Sequence, residues 1–286
     1  MSEVVLVSGA GLAAVRSEAV TRYRRDDSGV FSAREDDDPI AVEDPLEIRI
    51  DGQSWSITMR TPGEDLDLVA GFLVGEGVIT SPEHLASLGH VANALNGNTV
   101  NAQLTAGATP PADAAARHAV TTSACGICGT ESIDAIEKQA RWSLESDEVR
   151  VDAAVLAALP DRLRAAQTLF DATGGVHAAG LFTAAGEPLC VREDVGRHNA
   201  VDKVVGWALR QDLLPLRGTV LQVSGRASFE LVQKARLAGI PVLAAVGAPS
   251  SLSRDLADSA GLTLVGFSRG RTFSVYTHSR RVAVSA

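Results

Sequence analysis

The chain has 286 residues, of which 45% are hydrophobic, 21% are charged and 4% are aromatic. This is the balance of an ordinary globular protein with room for one large domain or two smaller ones. The net charge of −9 and the scarcity of aromatic rings exclude a broad nucleic-acid-binding surface, although a local basic patch can still bind one anionic ligand. We see no apolar stretch of membrane-spanning length and no basic signal-peptide region, so we expect a cytoplasmic protein.

The first half of the chain predicts a small α+β part. Residues 1–40 combine a basic cluster with an acidic run, and we expect a poorly defined, mostly exposed segment. Two alternating runs joined at Asp51-Gly52 predict a β-hairpin over 44–60. A helix is predicted from Pro62 to Gly75 or Gly77. Residues 99–121 predict one or two edge strands.

The second half alternates regularly between helices and strands. An amphipathic helix is predicted at 151–166, followed by apolar runs at 168–170, 177–182 and 188–193, a helix at 200–210, a strand at 219–223, a helix at 229–238, a strand at 241–246, a helix at 250–260, and strands at 262–267 and 273–276. This order indicates an α/β fold with a mostly parallel sheet and helices on both faces. We therefore expect an α+β region at 41–150 and an α/β domain at 151–286.

Cys125 and Cys128 lie on a glycine-rich stretch, Ser-Ala-Cys-Gly-Ile-Cys-Gly, just before a predicted helix that Thr130 or Ser132 can cap. The cysteine pair admits four interpretations. A structural zinc site needs four ligands, and neither His118 nor His177 shows ligand spacing. A pair of chemically inert cysteines is a poor explanation, because the small residues around them would leave both thiols exposed to solvent. A redox dithiol and a sulfur-carrying nucleophile remain, since a helix N-terminus lowers a thiol pKa. The residues alone leave both of these open.

Polar residues cluster where predicted strands end. The segment from Val191 to Lys203 contains Arg197, His198 and Asn199 between an apolar strand and a helix. In open α/β sheets, ligands bind at the carboxyl ends of strands, so we expect these three residues in a pocket. The alternative is a capping and salt-bridge cluster in which Asn199 caps the helix.

Two further strand ends favour anions. Ser224 and Arg226 follow one strand and open a helix, and residues 247–251 do the same. After the strand at 262–267 come two arginines that suit phosphate or guanine recognition. The alternative for these arginines is an ordinary basic turn. This candidate cofactor-binding segment consists of Phe267, Ser268, Arg269, Gly270, Arg271 and Thr272.

His177 and Cys190 complete the chemically active candidates. A zinc deaminase would carry His-x-Glu, but position 179 is alanine, so we expect His177 to be a pocket or structural residue without a metal. Cys190 lies in an apolar run and is expected to be a buried core thiol.

Taken in order, several segments resemble the FdhD family of formate dehydrogenase accessory sulfurtransferases. The matching segments are Cys125-Gly-Ile-Cys-Gly, Thr173-Gly-Gly-Val-His-Ala-Ala, Glu193-Asp-Val-Gly-Arg-His-Asn-Ala-Val-Asp-Lys, Val223-Ser-Gly-Arg-Ala-Ser-Phe-Glu, Gly239-Ile-Pro, Gly247-Ala-Pro-Ser-Ser and Gly266-Phe-Ser-Arg-Gly-Arg. The resemblance as a whole extends from about residue 45 to residue 280.

The resemblance implies a cytidine-deaminase-like three-layer core without zinc chemistry, and a homodimer. It implies that sulfur passes from a cysteine desulfurase, as a persulfide on Cys125, to the molybdenum cofactor (bis-molybdopterin guanine dinucleotide) of formate dehydrogenase. Cys128 belongs to the same loop, and residues 267–272 correspond to the family's cofactor segment. A non-catalytic cofactor-binding chaperone and a thiol–disulfide oxidoreductase are the alternatives.

Overall fold

The structure is a computed structural model that describes residues 14–92, 97–108 and 141–284. It begins with a two-stranded antiparallel hairpin, β1 (Val15–Arg25) and β2 (Phe31–Ala41), which we call the arm. Its side chains are mostly exposed, as the charge pattern predicts, but the segment forms a regular ribbon. The Asp26 carboxylate orders the turn by accepting hydrogen bonds from the N–H groups of Ser28 and Val30.

A four-stranded sheet follows, with the strand order β4-β3-β6-β5. Its strands are β3 (Asp44–Ile50), β4 (Gln53–Arg60), β5 (Leu85–His90) and β6 (Thr99–Leu104), and α1 (Asp65–Gly75) connects β4 to β5. The predicted hairpin at Asp51-Gly52 is confirmed, and both turn residues have positive φ. The prediction of an edge strand at 99–104 was wrong, because β6 lies between β3 and β5.

The rest of the described chain builds the larger part of the fold. Its elements are β7 (Val151–Asp152), α2 (Ala153–Ala165), α3 (Thr168–Thr173), β8 (His177–Thr183), β9 (Pro188–Asp194), α4 (Arg197–Arg210), β10 (Thr219–Val223), α5 (Phe229–Leu237), β11 (Val242–Ala245), α6 (Ser251–Ser259), β12 (Thr263–Arg269), β13 (Thr272–Val275) and β14 (Val282–Ala283). Short 3₁₀ turns lie at Pro82–His84 and Ser279–Arg281. The predicted helices and strands from residue 177 onward are confirmed within a few residues.

The central sheet has the order β13-β12-β11-β10-β8-β9. Only β10–β11 and β11–β12 pair in parallel, whereas β8–β9, β8–β10 and β12–β13 are antiparallel. The prediction of a mostly parallel sheet was therefore wrong. The turns at 184–187 and 270–271 are too short for a parallel crossover, so each joins an antiparallel pair.

Residues 168–170 form the first turn of α3 instead of an extended apolar run. Both carboxylate oxygens of Glu193 accept hydrogen bonds at this helix start, from the N–H of Leu169 at 2.8 Å and of Phe170 at 2.9 Å. A residue distant in sequence thus satisfies the helix N-terminus, and local periodicity carries no sign of it.

Helices cover both faces of the central sheet, as predicted. Leu181, Leu221 and Leu243 pack on one face in a large core that also includes residues of α1, α4, α5, α6 and the four-stranded sheet. Phe182 and Val220 pack on the other face against α2. The large core joins residues from both sides of position 150, so the two predicted regions are packed as one body.

The crossing of α1 and α4 depends on two glycines. A Cβ atom on Gly71 would lie 1.8 Å from the carbonyl oxygen of Asp202, and a Cβ on Gly206 would lie 1.8 Å from the carbonyl oxygen of Asp67. Backbone therefore packs directly on backbone here. This close approach fixes the position of α4, whose first turn carries three of the predicted pocket residues.

In the part of the chain that the structure describes, every helix is too short or too polar to cross a membrane.

Candidate functional site

One edge of the central sheet collects most of the predicted site residues. The carboxyl ends of β9, β10, β11 and β12 meet there with the start of β8, because β8 runs opposite to them. The Ala178 N–H donates to the Ser224 Oγ at 2.9 Å, and the Ser224 N–H donates to the Ala178 carbonyl at 3.0 Å. The neighbouring His177 and Ser224 are thereby held on adjacent strands.

A cavity of about 620 Å³ opens at this edge, a size in the range of small-molecule sites. The Arg164 guanidinium lies over the Phe170 ring on one wall, 4.8 Å from the ring centroid. The wall otherwise combines apolar side chains with glycine backbone and a few polar groups. Its lining residues are Pro160, Asp161, Leu163, Arg164, Gln167, Phe170, Gly174, Gly175, Val176, His177, Val195, Ser224 and Val246.

His177 is the imidazole in this cavity wall. Burial lowers its pKa, and the positive charges of Arg197 and His198 lower it further, against a smaller opposing effect of Asp194. A lowered pKa keeps the ring neutral at physiological pH, so it can both donate and accept a hydrogen bond. This agrees with the predicted pocket position.

Arg197 and His198 project from the first turn of α4. The His198 Nε2 lies 2.7 Å from a carboxylate oxygen of Glu230 and 3.4 Å from the Ser228 Oγ, both at the start of α5. The Arg197 Nε is buried and makes no hydrogen bond to any described residue. These two side chains place positive charge and a histidine–carboxylate pair beside His177.

Asn199 belongs to the structural framework. Its amide donates to the Met59 carbonyl at 2.7 Å and to Asp194 at 3.0 Å, and it is 8% exposed. The helix cap is Gly196, so the interpretation of Asn199 as a cap was wrong. The helix starts three residues earlier than predicted, and Asn199 instead ties α4 to β4.

Asp194 is the centre of that framework and is fully buried. Its carboxylate pairs with Lys203 Nζ at 2.8 Å and accepts hydrogen bonds from the N–H groups of Thr61 at 3.1 Å and Gly196 at 2.8 Å. The salt-bridge part of the alternative interpretation therefore holds for Asp194 and Lys203, with Asn199 hydrogen-bonded to the same carboxylate, while Arg197 and His198 remain near the cavity.

The segment at 267–272 forms the end of the β12–β13 hairpin, on the same sheet edge but outside the cavity wall. Phe267 has a φ of 52° and is 39% exposed, and the Arg269 guanidinium lies 5.7 Å from its ring centroid. Gly270, Arg271 and Thr272 are exposed. Ser268 is fully buried, and its hydroxyl faces the Leu156 carbonyl at 3.4 Å. Ser268 thus anchors the hairpin to α2 and leaves the arginines accessible.

Arg226 follows Ser224 of the cavity wall in sequence and lies beside Gly247. The Gly247 N–H donates to the Gly225 carbonyl at 2.8 Å, and the Phe267 N–H donates to the Gly247 carbonyl at 3.0 Å. Arg226 is exposed, and a Cβ on Gly247 would lie 3.0 Å from its Cγ. The structure thus connects the three predicted strand ends through backbone contacts.

The predicted persulfide residue Cys125, together with Cys128 and His118, lies outside the described residues. Cys190 is described and is buried, with burial raising the pKa of its thiol to about 12. A thiol of that pKa is not a nucleophile at neutral pH, so Cys190 fits the predicted core role. Within the described ranges there is no group of three or more metal-ligating side chains.

Comparison with known proteins identifies the family of this chain. Residues 41–283 match the sequence profile of the FdhD/NarQ family. The chain belongs to the FdhD/NarQ family. It is 56% identical over 252 residues to the "Sulfur carrier protein FdhD" of Nocardia farcinica, covering 87% of this chain and 90% of the relative. It is 53% identical over 264 residues to the protein of the same name from Streptomyces avermitilis, covering 90% and 93%.

A solved structure shares the fold. The crystal structure of a protein from Desulfotalea psychrophila, described as a formate dehydrogenase accessory protein, matches with a TM-score of 0.71 and 24% identity. The match covers 93% of this chain and 99% of that chain. At this identity the comparison supports the fold alone.

Sequence analysis missed several residues of the cavity wall, notably Asp161, Arg164 and Phe170. Arg164 lies at the end of α2 and Phe170 in α3, and the arginine also pairs with Asp171. Since residues 168–170 carried no helix signal, their position next to the end of α2 could not be predicted.

Proposed function

We propose that this protein is a sulfur carrier that receives sulfane sulfur from a cysteine desulfurase on Cys125 and passes it to the molybdenum cofactor of formate dehydrogenase. The observation that carries the proposal is the likeness, at 56% and 53% identity over most of each chain, to proteins named sulfur carrier protein FdhD. The Cys-Gly-Ile-Cys sequence lies inside the family match. We place the reaction in the cytoplasm, on a homodimer.

The first half-reaction needs only a thiolate. The Cys125 thiolate attacks the terminal sulfur of the desulfurase persulfide, the sulfur–sulfur bond of the donor breaks, and the donor cysteine leaves as a thiolate. Cys125 then carries the transferred sulfur as a persulfide, which is the species available for delivery to the cofactor. No separate oxidant is consumed in the transfer between the two cysteines.

The sheet edge supports the binding half of the proposal. The cofactor is the substrate here, and its guanine dinucleotide part carries phosphates and a planar base. Exposed Arg269 and Arg271 suit those phosphates, because guanidinium groups bind them through charge-assisted hydrogen bonds. The cavity beside His177 has the volume for a nucleotide-sized group.

A cofactor-binding chaperone would use the same cavity, so the cavity supports both functions. Variants of the two cysteines distinguish a chaperone from a sulfur carrier. Sulfur transfer predicts that Cys125→Ala leaves formate dehydrogenase as inactive as in cells that lack this protein. A chaperone predicts full activation by Cys125→Ala. If Cys128→Ala retains activity, a thiol–disulfide cycle between the two cysteines is excluded.

Cofactor binding is tested with Arg269→Ala. Loss of one charge-assisted hydrogen bond costs about 1.5–3 kcal/mol, so we expect cofactor affinity to fall by roughly 10- to 100-fold. The matched control is Arg217→Ala, an exposed arginine at the opposite edge of the sheet, which should bind as the wild type does. Equal affinity in the two variants would contradict a cofactor site at 267–272.

A further inference from the structure

The arm presents an unpaired strand edge. Among the described residues, β1 pairs only with β2, in a separate two-stranded sheet. Each strand has 11 residues, about 36 Å at a rise of ~3.3 Å per residue. Exposed apolar side chains lie near its tip, with Tyr23 68%, Val30 63% and Phe31 63% exposed. An isolated two-stranded ribbon is marginal in water, so a ribbon of this length points to a partner.

The two edges of the arm differ. The β2 edge carries four consecutive acids at 35–38 followed by Pro39, which has no N–H to donate. Both features block strand addition. The β1 edge has neither a proline nor an acidic run, and its sequence is Val-Arg-Ser-Glu-Ala-Val-Thr-Arg-Tyr-Arg-Arg. An incoming strand therefore has one available edge, along β1.

The charges along β1 are complementary to a second copy of β1 in one register. With a two-fold axis through Thr21, an antiparallel copy places Glu18 opposite Arg24 and Arg16 opposite Asp26. Arg24 forms no salt bridge with any described residue, so this pairing gives it an acidic partner. Opposite charges directly across an antiparallel pair are favourable, as is a Thr–Thr pair on the axis.

The neighbouring registers are less favourable. An axis through Val20 would place Arg16 opposite Arg24 twice, which offsets the two Glu18–Arg22 pairs of that register. An axis through Arg22 would place that residue opposite its own copy and Glu18 opposite Asp26. Like charges opposite each other destabilise a sheet. The Thr21 register is thus the one that the charges select.

We propose that two copies of this chain join through their arms, with the two β1 edges pairing antiparallel about Thr21 to form a four-stranded sheet in the order β2-β1-β1-β2. A C2 contact of this kind is self-complementary and closes on itself. The proposal rests on the homodimer of the proposed function and adds the strand edge and the register through which the two copies join. Its test measures strand pairing, so it can fail while the carrier function stands.

The arm root lies against the cavity. Val15 and Ala41 pack with Phe170, Val176 and Val195, three residues that also line the cavity wall. Joining two arms therefore fixes the position of the second copy relative to the cavity.

The test is disulfide cross-linking of the full-length chain in a Cys125→Ser, Cys128→Ser background. Directly opposite residues in an antiparallel pair have Cβ atoms about 4.5–5.5 Å apart, so Thr21→Cys should give a disulfide-linked dimer under mild oxidation. Ala19→Cys is the matched control, because its two copies would lie about 13 Å apart along the strands. Mixing Ala19→Cys with Tyr23→Cys chains should again give a cross-link.

Charge reversal provides a second measurement on the same disulfide. In the Thr21→Cys chain, Glu18→Arg should lower the cross-linked yield several-fold, and adding Arg24→Glu should restore it. Cross-linking of Ala19→Cys alone at the yield of Thr21→Cys would overturn the register. A Thr21→Cys chain that stays unlinked, or a yield insensitive to both charge changes, would overturn the pairing itself.

Discussion

Asp194 and Lys203 form the polar anchor under the candidate site. Both side chains are fully buried, and Lys203 also donates to the carbonyls of Thr61 at 3.1 Å and Glu193 at 3.2 Å. The anchor joins α4 to the end of β9 and to the turn before α1. It therefore holds the first turn of α4, with Arg197 and His198, at the sheet edge.

Replacing Asp194 with asparagine should destabilise the fold strongly. The substitution removes the buried counter-ion of Lys203 and leaves it only the exposed Glu64 carboxylate, 3.9 Å away, which costs about 3–5 kcal/mol. Urea unfolding at neutral pH measures the loss. The control is Asp171→Asn, whose carboxylate is 59% exposed in its salt bridge with Arg164 and should contribute less than about 1 kcal/mol. Equal losses in the two variants would show that the anchor does not stabilise the site.

Glu193 gives the site a pH dependence. It is half-buried, and burial raises the pKa of its carboxyl against the opposing effect of the N–H groups of Leu169 and Phe170; the nearby Asp171 raises it further and Arg164 lowers it. Because the folded-state pKa lies above the ordinary value of about 4.3, the folded protein binds this proton more tightly than the unfolded chain does. Its contribution to stability is full below the ordinary pKa and declines as pH rises through the raised pKa.

The variant Glu193→Gln cannot titrate and isolates this contribution. We expect the free energy of unfolding of the wild type, relative to the variant, to decrease between about pH 4 and pH 7. Chemical unfolding of both proteins over that range measures the difference. A difference that increases with pH would mean that the pKa of Glu193 is lowered by folding instead.

At the scale of elements, the α1–α4 crossing controls where the site residues lie. Gly206→Ala would place a Cβ against the backbone carbonyl of Asp67, which cannot turn away as a flexible side chain could. Overpacking of this kind costs about 1–3 kcal/mol or more, which should appear as a lower unfolding midpoint. Gly89→Ala in β5 meets nothing within 4 Å and should change stability by less than about 1 kcal/mol. A midpoint shift in Gly89→Ala as large as in Gly206→Ala would contradict the backbone-contact account.

Elements that are determined by their own residues were predicted well, and elements that depend on distant residues were not. The hairpin at Asp51-Gly52 and the strand at 219–223 follow from turn residues and apolar runs, and both were predicted correctly. The helix α3 depends on Glu193, more than twenty residues away, and was missed. The arm was missed because its charged, exposed strands carry no apolar alternation.

The site residues, like the elements, were predicted correctly only where the local sequence determines their position. The strand-end motifs correctly placed His177 and Ser224 on one sheet edge, since the ends of successive strands meet there. Asn199 and Ser268 were assigned to ligand binding from their neighbours in sequence, and both are buried in framework contacts. Their burial depends on β4 and α2, so tertiary packing decided what the local motif could not.

At the scale of the whole molecule, three features lie on a single fold. The cavity and the arginine hairpin share one edge of the central sheet, and the arm emerges next to the cavity wall. The cysteines that we propose to carry sulfur lie between the described ranges, in a sequence that belongs to the family match. The account therefore rests on chemistry at Cys125 joined to binding at the sheet edge.

The most direct test of that account is intact-mass and peptide-mass analysis after incubation with a cysteine desulfurase and cysteine. We predict that the wild type gains about 32 Da, one sulfur atom, on the peptide that contains Cys125, and that reductant removes it. Cys190 should stay unmodified, because its thiol is buried. The central claim would be contradicted if the wild type gained no sulfur, or if Cys125→Ala gained as much as the wild type.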